Sequence, residues 1–532
     1  MTKFFSIFTM TVVGMMLFSL QGPTPKATAQ TIAVESLLRA DGTLNLTTGM
    51  NGTFDLRGWN VALDSTRGIV LRRKQHAPPL TPTSLGAPRV NDCVSALPND
   101  GLNDYVSALA VMGGALYVGG NFTQTADGAV TNLNHIAKFS GGVWSALPNN
   151  GLNGAVNTLA VNGNELVVGG QFIQTADGNV TNLKNIARFT GGAWVALPSE
   201  GLNQVVYAIT FVGGDMFVGG SFSQSGDGLV TGLNRIAKLS NGAWSSLPGA
   251  GLNDYVDAFA QIGGDLYVGG GFTQTADASV SNLNNIARLS GATWTALPHN
   301  GLNDYVNALA VRDNVLYAAG AFTGTADGAM SNLIHVAQFK NGTWSSLPKL
   351  GLNGEAYALA VDGKNVFAAG EFTNSADGTV LNLNNIAQFR GSNLKPLPHN
   401  GFNAQVYFMK TYQGELYAGG VFTDTIVGAG GNLNHIAKFP KPAQAALKKP
   451  KNNAPVTTTQ PVLKWNAAPC ADTYTVIIQD NATGVTMDKQ AGLTLLKYKT
   501  DPLPANKTYK WFVQACNFLR CVKSKVRFFR VP

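Results

Sequence analysis

The sequence predicts an all-β fold, a seven-bladed β-propeller followed by a C-terminal β-sandwich, from three observations. A unit of 50 residues that opens with Gly-Leu-Asn, or once with Gly-Phe-Asn, recurs from Gly101 to Gly401 without net insertion. The unit holds four short runs rich in β-branched, aromatic and aliphatic residues, of which the seventh copy lacks the last. After about residue 456 this period gives way to simple polar–apolar alternation. A repeat of this length is typical of propeller blades and solenoid turns, because one unit cannot bury its apolar face alone.

The four runs of the first unit predict the strands of one blade. They are Tyr105–Val111, Ala115–Gly120, His135–Ser140 and Val143–Leu147. The glycines that separate the first run from the second, and the third run from the fourth, favour tight hairpin turns, since glycine accepts a positive φ without a Cβ clash. A four-stranded antiparallel meander repeated seven times closes most simply as a ring of blades.

The two ends of the repeat region predict how the last unit is completed. The seventh unit runs through Ile436–Phe439 and then turns into Pro440-Lys441-Pro442, so it lacks a fourth strand. A matching segment, Cys93–Pro98, stands before the first unit and aligns with Val143–Pro148. We expect this N-terminal strand to complete the last blade, which removes two free strand edges.

The repeat also resembles a known family. The apolar run ending in Gly119-Gly120, with Phe139, Trp144 and Leu147-Pro148, resembles the kelch pattern of galactose-oxidase-type propellers. It is closer to a secreted bacterial variant whose repeats read roughly L-Y-V-G-G-x-F-T…N-x-I-A-K…W-x-x-L. The resemblance covers about residues 93–440 and implies a fold more than a function. It departs from kelch proper, since phenylalanine replaces the usual tyrosine and the loop after the glycine pair is long.

The remainder of the chain predicts export and additional segments. Residues 1–29 are interpreted as a cleaved signal peptide, with an uncleaved membrane anchor as the alternative. Residues 30–76 are predicted to be a small β-rich segment around Trp59, and residues 77–92 a Pro-rich linker. Residues 441–455 are predicted to be a Pro/Lys linker. No further stretch is long and apolar enough to cross a membrane.

The C-terminal segment, residues 456–532, resembles a fibronectin type III sandwich. The resemblance depends on Trp465 early in the segment and on a late strand that carries Tyr509 and Trp511. Such modules usually act as spacers or contact surfaces outside cells. Cys516 and Cys521 flank the predicted last hairpin, so a local disulfide is expected in an exported chain. Cys93 and Cys470 would then be either free or paired across the two domains.

Charge is distributed unevenly along the chain. Residues 441–532 hold 15 lysines and arginines against 4 aspartates and glutamates, whereas residues 93–440 hold 14 against 21. The basic tail could hold the protein against an anionic cell-surface polymer or lipid headgroups, or could simply be a soluble surface. The residues considered for this contact are Lys448, Lys449, Lys451, Lys523, Lys525, Arg527 and Arg530. Nucleic acid is not expected, because no reader motif is present.

The repeated polar residues predict structure rather than catalysis, metal binding or a cofactor. One loop position carries aspartate in six units, at Asp127, Asp177, Asp227, Asp277, Asp327 and Asp377. A calcium loop needs several oxygens close together, so the favoured interpretation is an Asx turn that satisfies loop N–H groups. Histidines at one shared position, His135, His335 and His435, alternate with Asn and Arg, and no His/Cys motif for zinc or copper occurs. The copper oxidases of the kelch-like fold family use a Tyr–Cys pair, and that activity is not expected here.

Candidate ligand contacts lie where the units differ. Three units carry an Asp-Tyr pair ahead of the first strand, at Asp104-Tyr105, Asp254-Tyr255 and Asp304-Tyr305, and His299 lies in a nearby connection. An aspartate can accept hydrogen bonds from sugar hydroxyls, and a neighbouring tyrosine ring can pack on an apolar sugar face. Random substitution at surface positions would also produce such pairs. Because two of the pairs belong to successive units, we expect them side by side.

The sequence therefore predicts an exported, non-enzymatic protein of extracellular binding or adhesion, with a glycan or protein as its partner. A polysaccharide-acting enzyme with converging acids remains an alternative, and such an enzyme would need an asymmetric acid/base cluster. A purely architectural spacer is the third interpretation.

Overall fold

The computed structural model describes residues 59–64, 68–73, 93–428 and 431–532. The chain divides into two compact units, Met1–Gly86 and Ala87–Pro532. In the first unit, β1 (Trp59–Asp64) and β2 (Gly68–Arg73) form an antiparallel hairpin within the segment predicted to be β-rich. The predicted signal peptide and the predicted linker at 77–92 lie outside the described residues. In the part of the chain that the structure describes, no helix has the length and apolar character needed to cross a membrane.

The 50-residue units form seven four-stranded antiparallel sheets, numbered here 1 to 7 in chain order. The strands of the first three sheets are, for sheet 1, β4 (Val106–Met112), β5 (Ala115–Gly120), β6 (Ile136–Ser140) and β7 (Val143–Ala146); for sheet 2, β8 (Val156–Asn162), β9 (Glu165–Gly170), β10 (Ile186–Thr190) and β11 (Ala193–Ala196); and for sheet 3, β12 (Val206–Val212), β13 (Asp215–Gly220), β14 (Ile236–Ser240) and β15 (Ala243–Ser246). Those of the next two are, for sheet 4, β16 (Val256–Ile262), β17 (Asp265–Gly270), β18 (Ile286–Ser290) and β19 (Thr293–Ala296); and for sheet 5, β20 (Val306–Arg312), β21 (Val315–Gly320), β22 (Val336–Lys340) and β23 (Thr343–Ser346). Those of the last two are, for sheet 6, β24 (Ala356–Asp362), β25 (Asn365–Gly370), β26 (Ile386–Arg390) and β27 (Asn393–Pro396); and for sheet 7, β28 (Val406–Tyr412), β29 (Glu415–Gly420), β30 (Ile436–Phe439) and β3 (Ser95–Ala96).

The predicted completion of the last unit is confirmed. β3 pairs antiparallel with β30, with Ser95 opposite Lys438 and Ala96 opposite Ala437. Leu97, which follows β3, is 3% exposed and belongs to a core shared with sheet 1. The strand that precedes the first unit therefore supplies the fourth strand of the seventh.

The predicted fold class needs a correction. The described part of the chain is all-β, but its sheets are separate four-stranded sheets, and none is closed or curled into a propeller. The finding that overturns the prediction is the strand pairing, which stops at the edges of each four-stranded sheet. The repeat units therefore form separate four-stranded sheets in place of the predicted seven-bladed β-propeller.

Side-chain packing, rather than backbone pairing of strands, relates one sheet to the next. First strands of successive sheets contact each other, from β4 against β8 to β24 against β28, and β28 contacts β4. The penultimate residue of the second strand is glycine in sheets 1 to 4 and 7 and alanine in sheets 5 and 6, and this small residue leaves room for the approach. A Cβ built on Gly169 would lie 2.5 Å from Val206 Cγ1 in the following sheet, well inside van der Waals contact.

Tryptophans of the fourth strands tie sheets 1 to 4 to the connection that enters each of them. Trp144 and Trp194 donate from Nε1 to the carbonyls of Pro98 and Pro148, both at 3.0 Å. Each of the six connections between successive units contains, near its start, a short 3₁₀ turn, at Pro148–Asn150, Pro198–Glu200, Pro248–Ala250, Pro298–Asn300, Pro348–Leu350 and Pro398–Asn400.

The C-terminal segment is a sandwich of two sheets around one core. The smaller sheet is β31 (Leu447–Lys449), β33 (Val462–Trp465) and β36 (Lys497–Lys499). The larger sheet is β32 (Ala454–Pro455), β39 (Arg527–Arg530), β37 (Thr508–Cys516), β34 (Thr473–Asp480) and β35 (Thr486–Leu493), with β38 (Cys521–Lys523) also paired to β37. Trp465, Tyr509 and Trp511 are each at most 1% exposed in the shared core.

The segment predicted to be a Pro/Lys linker, 441–455, is instead part of this sandwich. It supplies β31 and β32, and Ala445 and Leu447 lie in the core. Its proline and lysine content suggested a linker, but paired backbone and two buried apolar side chains hold it in the fold.

The predicted local disulfide is present between Cys516 and Cys521. It closes a tip that docks on sheets 6 and 7: the Phe518 ring lies edge-on to Phe367 at 6.2 Å and Phe439 at 5.6 Å. The Phe518 carbonyl accepts a hydrogen bond from Gln388 Nε2 at 2.8 Å. Cys93 and Cys470 are both buried.

Candidate functional site

Six tyrosines gather at one end of the seven sheets, here called the tyrosine end. Three of them directly precede a first strand and three are the second residue of a first strand. They are, in that order, Tyr105, Tyr255 and Tyr305, then Tyr207, Tyr357 and Tyr407. Because first strands pack side by side, residues at the same position in neighbouring units come together.

The six rings form two arcs of aromatic contacts. In one arc, Tyr255 lies 5.6 Å from Tyr305 and 6.5 Å from Tyr207, measured between ring centroids. In the other, Tyr407 lies 5.8 Å from Tyr357 and 6.0 Å from Tyr105. These separations and tilts are typical of stabilising aromatic pairs. The structure therefore brings Tyr255 and Tyr305 together as the sequence predicts, and places Tyr105 in the second arc.

A cavity of about 310 Å³ lies between the first strands of all seven sheets. Its lining includes the second residue of each first strand, which are Ser107, Asn157, Tyr207, Asp257, Asn307, Tyr357 and Tyr407. Several of these side chains also join neighbouring strands. Ser107 Oγ donates to the carbonyl of Val156 at 2.5 Å, and Asn307 Nδ2 donates to Glu355 Oε1 at 2.7 Å.

The aspartates of the Asp-Tyr pairs cap the backbone ahead of the strand. One carboxylate oxygen of Asp104, Asp254 and Asp304 accepts the N–H of the following tyrosine, at 2.7 to 2.8 Å. The second oxygen of Asp104 accepts from Asn121 Nδ2 at 2.9 Å. These carboxylates therefore position the tyrosines.

An asymmetric polar network lies between sheets 6 and 7. Glu371 Oε2 accepts hydrogen bonds from the Tyr357 hydroxyl at 3.1 Å and from Gln405 Nε2 at 2.6 Å. Gln405 Oε1 in turn accepts from the Tyr407 hydroxyl at 3.0 Å. Glu371 and Gln405 also line a cavity of about 580 Å³, together with Asn353, Thr373, Asn385 and Asn403. Only the sixth unit has glutamate at positions 355 and 371.

Burial and nearby charges raise the pKa of several of these tyrosines, which favours the neutral phenol. The pKa of Tyr255 is raised by burial and by Asp257, and that of Tyr357 by burial and by Glu355. Burial, Tyr105 and Glu371 raise the pKa of Tyr407 to about 12. A neutral phenol can both donate and accept a hydrogen bond, so this end offers hydroxyl groups and aromatic faces together.

His299 has a different role from the tyrosines. Its Nδ1 lies 2.9 Å from Asp327 Oδ2, and both side chains are partly exposed. Asn99 and Asn149 occupy the equivalent position and donate to Asp127 and Asp177. His299 therefore belongs to a contact that recurs between a connection and a loop.

The loop aspartates form the predicted Asx turns. Asp177 Oδ1 accepts from Asn179 N at 3.0 Å and from the Thr175 hydroxyl at 2.8 Å. Asp127 repeats this pattern with Ala129 and Thr125. Hydrogen bonds, the backbone N–H two residues on first among them, lower the pKa of both carboxyls.

Among the residues that the structure describes, no group of three or more His, Cys, Asp or Glu side chains could hold a metal ion. His335 and His435 direct Nδ1 at the carbonyls of Gly320 and Gly420, at 3.1 and 3.2 Å. Burial lowers the pKa of both imidazoles, which favours their neutral form.

The sequence analysis missed Tyr207, Tyr357 and Tyr407, and it did not recognise Glu371. The signal that could have found them is departure from the repeat. The position of Glu371 holds Asn, Gln, Ser, Gly, Ala or Val in the other units. Which departures would converge could be seen only once the first strands were placed side by side.

No family model matches the chain, so no family match supports the kelch-like resemblance. Polarized growth protein rax2 of Schizosaccharomyces pombe is 51% identical over 45 residues, which are 8% of this chain and 4% of that protein. The chain therefore matches only a small part of that relative's length.

Among solved structures, a Fn3-like protein from Clostridium thermocellum matches at 19% identity and a TM-score of 0.15, covering 18% of this chain and 93% of that one. The FN5 domain of Drosophila Lar matches at 18% identity and a TM-score of 0.15, covering 17% of this chain and 97% of that one. The protein thus has fibronectin type III-like structural neighbours, and at these TM-scores the likeness supports nothing further.

Proposed function

We propose that the protein is an exported, non-enzymatic binding protein whose tyrosine end contacts an extracellular glycan. The observation that carries the proposal is the gathering of six tyrosines at one end of the sheets, three of which, Tyr207, Tyr357 and Tyr407, line a cavity shared by all seven first strands. Aromatic faces pack against the apolar faces of sugars, and neutral phenols and amides bond to sugar hydroxyls. Export remains a proposal from residues 1–29 of the sequence.

Rigid support favours binding at this end. The tyrosines lie in or beside strands, and the N–H of Tyr105, Tyr255 and Tyr305 is held by the preceding aspartate. Few protein groups would therefore lose conformational freedom when a ligand binds, which lowers the entropic cost of association. An extended protein segment could use the same aromatic faces and is the alternative ligand.

The test is a glycan array probed with the full chain and with two double variants. Tyr255→Ala with Tyr305→Ala removes the faces and should weaken binding by about tenfold or more, as expected when a contact worth about 1.4 kcal/mol or more is lost. Tyr255→Phe with Tyr305→Phe keeps the faces and should weaken binding less.

Tyr412→Ala is the matched control, because Tyr412 lies at the opposite end of β28 and donates to the Gly114 carbonyl at 3.1 Å. An array on which no glycan binds would refute the glycan proposal. Binding that survives the double alanine change but falls with Tyr412→Ala would place the site elsewhere.

A polysaccharide-acting enzyme is the second candidate, since the sixth unit supplies an asymmetric pair of acids. Glu355 and Glu371 both raise the pKa of Tyr357, so both carboxylates act on the same hydroxyl. Glycoside hydrolysis uses two carboxylates in unequal environments. New reducing ends released from the best-bound glycan, and lost with Glu371→Gln, would establish this activity; intact glycan would leave the binding role.

A further inference from the structure

One face of the C-terminal sandwich carries an exposed group of lysines, here called the lysine face. It is the outer side of β31, β33 and β36, and its members are Lys449, Lys464, Lys497 and Lys499. The inner side of the same sheet buries Leu447, Leu463 and Trp465. Strand alternation separates the apolar inner side from the basic outer side in β33 and β36, and a register shift between Leu447 and Lys449 in β31 brings Lys449 to the basic side.

The strand register places three of these four lysines opposite one another. Lys464 of the central strand pairs with Lys449 on one side and with Lys497 on the other. Cross-strand partners lie about 4.5–5.5 Å apart at Cα, and like charges in such pairs destabilise a sheet. Three positive charges therefore form a row across the sheet at a cost to folding stability.

Within the described residues, no acidic side chain forms an ion pair with any of these four lysines. Elsewhere in the sandwich basic groups do have partners: Lys507 Nζ lies 2.9 Å from Asp480, and Arg520 lies 3.3 Å from Asp362. Asp488, near β36, is buried and accepts from the Tyr498 hydroxyl at 3.0 Å. The repulsion within the lysine face is thus not offset by the fold itself.

Two exposed apolar side chains border the lysines. Val462, which pairs with Lys499, is 42% exposed, and Leu495, in the bend before β36, is 63% exposed. Apolar side chains beside a basic patch can enter the interfacial region of a bilayer while the lysines contact headgroups.

We propose that the lysine face binds the surface of a bilayer that contains anionic lipids. The face extends its charges across three strands and along β36, and this two-dimensional spread fits a planar anionic surface better than a single polymer strand. This surface is separate from the tyrosine end, so it would hold the protein at a membrane without occupying the glycan site.

Two of the basic residues singled out from the sequence are engaged within the protein. Lys523 Nζ lies 3.9 Å from the centre of the Phe512 ring. Arg527 donates to the carbonyls of Lys448 and Pro450 at 3.0 and 3.2 Å. The structure therefore moves the contact surface from these residues to Lys464, Lys497 and Lys499.

The test is cosedimentation of the full chain with phosphatidylcholine vesicles, with and without phosphatidylglycerol. We expect binding only to the anionic vesicles, and a loss of about tenfold or more in the partition constant for Lys464→Gln with Lys497→Gln. Leu495→Ser should reduce the partition constant by a smaller factor. Lys340→Gln with Lys364→Gln removes the same charge from exposed lysines of sheets 5 and 6 and is the matched control.

The melting temperature of the double lysine variant provides an independent readout, and it should be unchanged or higher because repulsion is relieved. A lower melting temperature would show that these lysines stabilise the fold, and it would contradict the unrelieved repulsion from which the proposal is argued. Absence of binding to anionic vesicles, or an equal loss in the control variant, would overturn the proposal. Binding to soluble dextran sulfate without binding to vesicles would overturn it as well.

Discussion

The approach of one sheet to the next can be tested at Gly269 and Val306. A Cβ built on Gly269 would lie 2.6 Å from Val306 Cγ1, and Val306 is fully buried. We expect Gly269→Ala to lower the free energy of unfolding by about 1–3 kcal/mol, as for other overpacked cores. Val306→Ala alone should cost about 2 kcal/mol, because it removes two buried methyl groups and leaves a small void.

The double variant should be more stable than the sum of the two single changes predicts. Removing the Val306 methyl groups clears the space that the new methyl group needs, so a coupling of about 1–2 kcal/mol is expected. The chain already contains such a pair, since Ala319 and Ala356 occupy the equivalent positions in sheets 5 and 6. Ala369 stands opposite Val406 in the next pair of sheets, which shows that a local adjustment can also relieve the contact.

Denaturant unfolding of the four proteins, followed by tryptophan fluorescence, measures this coupling. The pair Gly113→Ala and Val306→Ala is the control, because nothing lies within 4 Å of a Cβ at Gly113. Additive free energies for Gly269→Ala and Val306→Ala would refute the reasoning, since the two side chains would then not share the space between sheets 4 and 5.

Three further predictions follow from the hydrogen bonds and the disulfide. Deleting residues 93–98 removes β3 and should lower the melting temperature far more than deleting residues 31–76; equal small effects would contradict the pairing with β30. Non-reducing peptide mapping should yield a peptide that joins Cys516 to Cys521, and a peptide joining Cys470 to either one would contradict the structure. Because hydrogen bonds lower the folded pKa of Asp127 and Asp177, their stabilisation is present above the unfolded pKa and is lost as pH falls through the folded pKa. The melting temperature should therefore decrease when the pH is lowered below about 4, and it should decrease less in Asp177→Asn. Added calcium should not change the melting temperature.

Repetition made the strands of this protein predictable. The four runs predicted in the first unit differ from the observed strands by at most one residue at each end. The pairing of residues 93–98 with the last unit was predicted because that unit lacked one strand. Those inferences needed only local turn chemistry and counting. The pairing of Cys516 with Cys521 was equally local, since five residues separate them across a hairpin.

The arrangement of the sheets could not be obtained in the same way. A 50-residue period is compatible with more than one way of joining sheets, and the extent of the strand pairing corrected the predicted fold class. The prediction of a linker at 441–455 was wrong for a related reason. A segment rich in proline and lysine stays flexible only when no sheet edge is available to pair with it. Here β33 pairs with β31 and β39 pairs with β32, so both strands of the segment are held in sheets.

The sequence by itself determined the strands, the turns, the Asx loops and the identity of the units that depart from the repeat. Each of these depends on residues close together in the chain, through alternation, glycine conformations and short side-chain hydrogen bonds. Only the tertiary structure decided that Tyr105 meets Tyr407, that Glu371 meets Tyr357 and Gln405, and that Lys464 lies between two other lysines. These contacts join residues from different units or distant strands, and their existence depends on which strands pack or pair, a choice made by the burial of whole sheets.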